Sequence, residues 1–328
     1  MRKVIKKIAV MTSGGDAPGM NAAIRAVVRS ASYYKLECMG IYRGFQGMIE
    51  GDFEKMDARS VHHIIQKGGT VLKSARSKEF MTHEGRKKAY HHLIENNIDG
   101  LVIIGGDGSF TGGMVFNSEY DFPIIGIPGT IDNDIFGTDY TIGYDTALNT
   151  AIDVMDKIRD TASSHNRLFF VEVMGRDSGF LALNSGIGAG AEEILIPEED
   201  MGLERLLNSL QKSRRSGKSS SLVVIAEGDK TGKNVFEIAA YIEENLPQYE
   251  VRVSVLGHMQ RGGSPSCFDR VLASRMGVKA VELLIDGVSN VMVGIINNEM
   301  ATTELEKAVK EHHSINKEIL RISDIMSV

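Results

Sequence analysis

Tryptophan is absent from the chain, and cysteine nearly so: Cys38 and Cys267 are the only two in 328 residues. Two thiols this far apart, without the paired spacing of a zinc site, argue against a disulfide framework or a structural zinc and read as ordinary reduced thiols. No apolar run reaches the length needed to cross a membrane. The basic start, Met1-Arg2-Lys3-Val4-Ile5-Lys6-Lys7, has the charge of a targeting segment, but the apolar stretch after it is broken at Ser13-Gly14-Gly15-Asp16, so export is not expected. There is no basic run, and a formal charge of −6 argues against nucleic acid as a partner. Low-complexity linkers and short-period repeats are missing as well. These absences leave a cytoplasmic protein that uses neither membrane nor nucleic acid.

What remains is the composition of an α/β protein, 42% apolar and only 6% aromatic, in a chain longer than one typical core, so two domains are expected. Apolar runs at Ile8–Thr12, Glu37–Tyr42, Leu101–Ile104, Pro123–Ile127, Leu168–Val173, Leu222–Ala226, Val251–Leu256 and Val291–Ile296 read as strands. Helical periodicity covers the residues from Asn21 through Val28, then Ser60–Lys67, Arg86–Asn96, Asp145–Thr161, Phe180–Ile187, Leu203–Arg214, Val235–Leu246 and Asp269–Asp286, and two helical stretches end the chain. In the Asp145–Thr161 helix, Ala147, Ala151, Ile152, Met155 and Ile158 form one stripe. Strands alternating with helices predict mostly parallel sheets covered by helices. A domain boundary is expected near Thr141–Tyr144.

Residues 126–134, Gly-Ile-Pro-Gly-Thr-Ile-Asp-Asn-Asp, follow a predicted strand and turn at Pro128-Gly129. Strand alternation past that turn would put Asp132 and Asp134 on one face with Thr130 beside them. A hydroxyl and two carboxylates at the carboxyl end of an α/β strand suit proton abstraction beside a metal-bound phosphate. A polar turn whose aspartates cap nearby amides is the other reading of this segment alone. Two further strand–glycine turn–helix units occur, Ser13-Gly14-Gly15-Asp16-Ala17-Pro18-Gly19-Met20-Asn21 and Gly105-Gly106-Asp107-Gly108-Ser109. Glycines admit a phosphate close to the backbone, and a helix N-terminus offers it N–H groups. Neither loop ends as a Walker A loop does or has dinucleotide-fingerprint spacing. Each carries an aspartate instead, which makes sense beside phosphates if Mg²⁺ lies between, and Asp107 is the candidate ligand. Arg76, Arg167, Arg176, Arg252 and Arg261 lie in or beside glycine- or serine-rich loops or at strand edges. Guanidinium groups suit phosphate oxygens, although any one of them taken singly also fits a surface ion pair.

Together these segments resemble the bacterial-type 6-phosphofructokinases over nearly the whole chain. Thr12-Ser13-Gly14-Gly15-Asp16-Ala17-Pro18-Gly19-Met20-Asn21, Gly105–Ser109, Pro128-Gly129-Thr130-Ile131-Asp132-Asn133-Asp134, Met174-Gly175-Arg176 and Leu256-Gly257-His258-Met259-Gln260-Arg261-Gly262-Gly263-Ser264-Pro265 occur in the family's order. A Gly-Gly-Asp-Gly loop alone would also fit lipid or NAD kinases, which have no use for the Gly257–Gly263 segment. The resemblance implies two Rossmann-like domains, with mostly parallel sheets flanked by helices and the active site in the interdomain cleft. Residues 1–142 plus about 261–310 would bind ATP, and about 143–260 plus 311–328 would bind fructose 6-phosphate. It implies phosphoryl transfer from MgATP to the sugar's 1-hydroxyl. Asp132 would act as base, Thr130 and Arg176 would orient the phosphoryl group, and Asp107, with Asp134 through the metal's hydration shell, would position Mg²⁺.

By the same resemblance, Gly15, Arg76, Ser77, Gly106, Asp107, Gly108 and Ser109 form the ATP cradle. Thr130, Ile131, Asp132, Met174, Gly175, Arg176, Glu227, His258, Met259, Gln260 and Arg261 line the sugar-phosphate site. Arg167 and Arg252 reach that site from a neighbouring subunit, which implies a homotetramer. Pyrophosphate-dependent members carry aspartate at the position of Gly108 and lysine at that of Gly129, so glycine at both implies ATP as donor. A pyrophosphate-dependent enzyme and a non-catalytic phosphometabolite-binding subunit are the alternatives, the latter opposed by the presence of Asp107, Asp132 and Asp134. Arg25, Arg29, Arg159, Glu192 and Lys218 match effector-site positions. Ala58, Ser216 and Ser220 depart from the family's cationic pattern there, with Arg59 one residue along, so a weakened or altered effector response is expected.

Overall fold

The computed structural model describes residues 5–162, 167–199, 202–215, 221–228, 231 and 233–326. The chain separates into two compact units, one of Met1–Ile131, Ile135–Thr146 and Arg261–His313, the other of Asp132–Asp134, Ala147–Gln260 and Ser314–Val328. In chain order the elements are β1 (Lys7–Thr12), α1 (Met20–Tyr33), β2 (Glu37–Ile41), α2 (Gly44–Glu50), β3 (Phe53–Met56), α3 (His83–Glu95), β4 (Gly100–Gly105), α4 (Asp107–Tyr120) and β5 (Ile124–Pro128). Then come α5 (Tyr144–Ala162), β6 (Arg167–Val173), α6 (Phe180–Gly188), β7 (Glu193–Leu195), α7 (Leu203–Arg215), β8 (Ser221–Ala226), α8 (Val235–Asn245) and β9 (Glu250–Val255). The chain ends with α9 (Cys267–Ile285), β10 (Val291–Ile296), β11 (Glu299–Glu304), α10 (Leu305–Lys310) and α11 (Lys317–Met326).

The first unit is built on a seven-stranded sheet in the order β11-β10-β5-β4-β1-β2-β3. The five central strands are parallel, and β3 and β11 join antiparallel at the edges. Every residue of β4 and β5 is buried, as a strand with helices on both faces requires. Small residues let two of those helices approach: a Cβ at Gly277 of α9 would meet Ala26 Cβ of α1 at 2.5 Å. From β1 the chain crosses through α1 to β2 on one side, and from β4 through α4 to β5 on the other. The topological switch point, where open parallel sheets bind ligands, therefore lies between the carboxyl ends of β1 and β4.

The second unit has a wholly parallel four-stranded sheet, β7-β8-β6-β9. Leu168 and Phe170 of β6 and Val223 and Ile225 of β8 pack with Ile238 and Ile242 of α8 in its core. Asn234 and Glu237 form a capping box that starts α8, and Ala147, Ala151 and Met155 are the buried stripe of α5. Two expectations fail locally. Ser60–Lys67 is a run of turns rather than a helix, with His63 at φ 55°, a backbone state that a helix cannot include. Residues past Pro128-Gly129 do not continue as a strand: Asn133 has φ 54°, so strand alternation is not what presents Asp132 and Asp134.

Candidate active site

Parallel strands end side by side, and in the first unit three loops meet at one sheet edge. Ser13 N donates to Ile104 O at 3.0 Å, and Gly129 N donates to Gly105 O at 3.0 Å. The loops after β1, β4 and β5 are thus neighbours at the switch point. A Cβ on Gly14 would lie 3.4 Å from Ser109 Oγ, and one on Gly106 would have Thr130 Cβ as its nearest neighbour at 3.8 Å. Gly106 is the N-cap of α4 and no side chain caps that end. A Cβ on Gly108 would meet nothing within 4 Å, and neither glycine has a positive φ. Neither backbone conformation nor internal packing demands glycine at 106 and 108. Bare amides at a helix start beside open space fit a phosphate chain.

Asp107 opens α4 and is exposed. Among the described residues no group of three or more His, Cys, Asp or Glu side chains could hold a metal. One exposed carboxylate beside a phosphate cradle fits Mg²⁺, which binds through one or two carboxylates together with substrate oxygens and water. Arg76 is exposed on the loop before Glu79–Met81, whereas the Ser77 hydroxyl donates to Gln46 Oε1 at 2.7 Å and accepts from Phe80 N at 3.2 Å. Arg261 lies on the first glycine loop, where a Cβ at Gly15 would meet its Nη1 at 2.7 Å, and that nitrogen donates to Asp16 O at 3.3 Å. Asn21, whose role the sequence does not disclose, pins the 67–71 loop. Its side chain donates to Lys67 O and Gly68 O and accepts from Val71 N.

The turn after β5 is held from behind. Thr141 Oγ1 donates to Thr130 O at 2.7 Å and Ile142 N to Pro128 O at 2.9 Å. Thr130, Asp132 and Asn133 are buried, and Asp134 is half-buried. In the second unit, Ser178 Oγ bonds both Asp132 O and Gly175 O at 3.0 Å, which ties Asp132 to the loop after β6. Arg176 N donates to Glu227 Oε1 at 2.8 Å, and Met174 N to Gln260 Oε1 at 3.3 Å. Met174, Gly175, Arg176, Glu227 and Gln260 thus gather at the carboxyl ends of β6 and β8. Arg176 has φ 57° and Gly175 φ 147°, and the resulting tight turn leaves the Arg176 side chain exposed. His258 and Met259 are exposed near the end of the same unit, and Gln260 is buried.

Comparison with known proteins then decides the family. Residues 7–284 match the model of the family described as Phosphofructokinase. The chain belongs to the phosphofructokinase family. It is 54% identical over 324 residues to ATP-dependent 6-phosphofructokinase 1 of Thermus thermophilus, covering 99% of this chain and 100% of that one. It is 51% identical, over 99% of each chain, to ATP-dependent 6-phosphofructokinase 2 of Bacteroides thetaiotaomicron. Among solved structures, phosphofructokinase from Saccharomyces cerevisiae superposes with a TM-score of 0.87 at 36% identity, over 98% of this chain and 47% of the yeast one. The chain therefore spans about half the length of that relative. A pyrophosphate-dependent phosphofructokinase from Marinobacter aquaeolei shares the fold with a TM-score of 0.83 at 21% identity.

Set against the family pattern, some expected site residues stand apart from the rest. Arg167 opens β6, and Arg252 of β9 is in register with Phe169. Arg167 sits at the amino end of the sheet and Arg252 two residues further in, and both pair with Glu250, Arg167 Nε at 3.2 Å from Glu250 Oε2. At about 3.3 Å per residue, Arg167 is roughly 20 Å from the far end of its strand, where Met174–Arg176 begin. Of the effector-type residues, Arg25 and Arg29 lie on α1, where burial and the charge of Arg29 lower the pKa of Arg25. Arg159 Nη2 donates to Gly190 O at 2.5 Å, and Glu192 Oε2 accepts from Leu222 N at 2.6 Å. Arg59 is exposed, its amide bonded to Asp57 Oδ1 at 2.7 Å. Lys218, Ser216 and Ser220 lie outside the described residues.

Proposed function

We propose that this chain is an ATP-dependent 6-phosphofructokinase. It transfers the γ-phosphoryl group of ATP to the 1-hydroxyl of fructose 6-phosphate, giving fructose 1,6-bisphosphate and ADP, a phosphorylation step of glycolysis. The observation that carries this reading is the gathering of two glycine loops, the second of them open at Gly108, and Thr130 at the switch point of one sheet. Asp132 lies two residues further along the same turn and is bonded to the loop that bears Arg176. Near-full-length identity of 51–54% to enzymes named for this activity supports it.

The chemistry follows from the parts. The amides of Gly106 and Gly108, with Gly15, Arg76, Ser77, Asp107 and Ser109, hold the triphosphate. Mg²⁺ held by Asp107, with Asp134 through its water shell, would neutralise charge on the phosphate oxygens. The sugar phosphate is bound by Met174, Gly175, Glu227, His258, Met259, Gln260 and Arg261, with Thr130 and Ile131 beside the reacting hydroxyl. Asp132 accepts the hydroxyl proton as the sugar oxygen bonds to the γ-phosphorus. The bond from that phosphorus to the β–γ bridging oxygen breaks in line. Thr130 and Arg176 stabilise the phosphoryl group in transit, and positioning and charge neutralisation supply most of the acceleration.

Arg167 and Arg252 complete the sugar-phosphate site of another copy. The distance of Arg167 along β6 from Met174–Arg176 argues against both serving one phosphate within a chain, which supports sites shared between copies, as in a homotetramer. The enzyme works in the cytoplasm, and among the described residues no helix is long and apolar enough to cross a membrane. By the family pattern, Arg25, Arg29, Arg159, Glu192 and Lys218 belong to an anion effector site at a subunit interface. It lacks a cation at Ala58, Ser216 and Ser220, so its response to nucleoside diphosphate and phosphoenolpyruvate is weaker than the family pattern implies or altered, since an anion held by fewer charge-assisted hydrogen bonds is bound less tightly.

Initial velocities with fructose 6-phosphate and Mg²⁺, with ATP and pyrophosphate supplied in parallel, test the assignment. Turnover with ATP and none with pyrophosphate is expected. Turnover with pyrophosphate alone overturns the donor, and silence with both, from folded protein, overturns the enzyme assignment.

A further inference from the structure

Asp269 has no part in the chemistry above, yet it is a carboxylate with no exposed surface. It lies in the first turn of α9, where an acidic side chain ordinarily caps its own helix. Here it caps another. Gly143 N donates to Asp269 Oδ1 at 2.8 Å, and Thr146 N donates to Oδ2 at 2.8 Å. The Thr146 hydroxyl also donates to Oδ2, at 2.5 Å. The carboxylate therefore closes the start of α5. Ser266, the N-cap of α9, completes the lacing: its amide donates to Thr146 Oγ1 at 2.9 Å and its hydroxyl to Asp145 Oδ2 at 2.5 Å.

The segment held this way carries two of the three loops at the switch point. Thr141 and Ile142 bond the backbone of Thr130 and Pro128, and Gly129 bridges Ile142. On the other side, a Cβ on Gly143 would meet Ala17 Cβ at 2.7 Å, and one on Gly19 would meet the Ile142 side chain at 2.6 Å and Asp269 Cβ at 3.6 Å. Gly19 and Gly143 have φ of 109° and 105°, so both the backbone shape and the space require glycine. One buried carboxylate thus fixes residues 141–146, on which both the first glycine loop and the Thr130 turn rest.

We propose that Asp269 is a positioning residue for phosphoryl transfer, holding the 141–146 segment so that Thr130 and the first glycine loop keep the geometry of the reacting centre. The proposal rests on the reading of residues 130–134 as the reacting turn. A stability role alone would be met by any well-packed side chain, whereas a carboxylate with three donors on its two oxygens sets direction as well as contact.

Asp269→Asn in the full-length enzyme is the test, because the amide is nearly isosteric but turns an N–H₂ toward the Thr146 donors. The expected result is a folded protein with kcat lowered about 10²-fold, the cost of a misplacement on the order of 1 Å, and an unchanged KM for fructose 6-phosphate. Wild-type kcat in folded Asp269→Asn, or a raised KM with kcat intact, overturns the proposal. Thr141→Val cuts the same chain at its other end. If Asp269→Asn does not fold, a fall in kcat at constant KM in Thr141→Val supports the proposal, and wild-type kcat there overturns it. Asp132→Asn separates the two readings. If it retains kcat, the reacting-turn assignment fails, and if it loses kcat while Asp269→Asn does not, only the positioning role fails.

Discussion

Gly108 and Gly47 show how differently two glycines can be required. A Cβ on Gly47 would collide with the Tyr42 carbonyl, whereas one on Gly108 would touch nothing. Glycine at 47 is a demand of the fold, and at 108 it leaves room for a ligand. Gly108→Asp is therefore expected to fold normally and to raise the KM for ATP by about tenfold or more, equivalent to about 1.4 kcal/mol of repulsion from the nucleotide phosphates. Thermal melting and initial rates at varied ATP check both halves. Asp269 gives a pH prediction at the same scale. Burial pushes its pKa from 3.8 up to about 6, against the pull of the Thr146 and Gly143 hydrogen bonds. The folded state then holds the proton more tightly than the unfolded chain. The stability this group contributes is present below about pH 4 and is lost as pH rises to about 6. The melting temperature of wild type relative to Asp269→Asn should fall across that window, and a flat difference would contradict it. These residues also mark what the sequence can say. Asp107, Thr130 and Asp132 stand out because glycine, hydroxyl and carboxylate cluster within a few positions. Asp269 and Asn21 do not, because their partners lie 46 to 126 residues away and no local spacing encodes such contacts.

Elements with a buried, continuous signal were legible, and those at edges were not. The run Val291–Ile296 forms a strand over those very residues because five of its six side chains are apolar and it is flanked by two others. The neighbouring Glu299–Glu304 carries polar and charged side chains at four of its six positions and is an edge strand, so no apolar pattern announces it. Phe53–Met56 and the glycine-bearing helix Gly44–Glu50 escape notice for similar reasons, the latter starting from Arg43 at φ 59°. The helix Val235–Asn245 owes its sharp start to the capping box at Asn234. Asn234→Ala should destabilise the second unit by about 1 kcal/mol, read as an earlier midpoint in urea with kcat per folded enzyme unchanged.

For the whole molecule, the proposal that Arg167 and Arg252 complete the site of another copy makes catalysis a property of an assembly. Arg252→Ala and Asp132→Asn should each be nearly inactive as homo-oligomers. Mixed and reassociated, they should regain activity, because some sites then combine an intact Asp132 from one subunit with an intact Arg252 from another. Failure to regain activity, with mixed tetramers demonstrated by mass, would contradict shared sites. The α/β plan was legible from strand–helix alternation and the two domains from chain length, whereas the proposed sharing of sites came only from the family resemblance, since no local spacing encodes which subunit an arginine serves.

In the proposed mechanism Asp132 takes the hydroxyl proton, and steady-state kinetics of Asp132→Asn with saturating MgATP and fructose 6-phosphate tests that role most directly. The prediction is a kcat lower by about 10²–10⁴-fold with both KM values near wild type. A variant that turns over at close to the wild-type rate would contradict the mechanism.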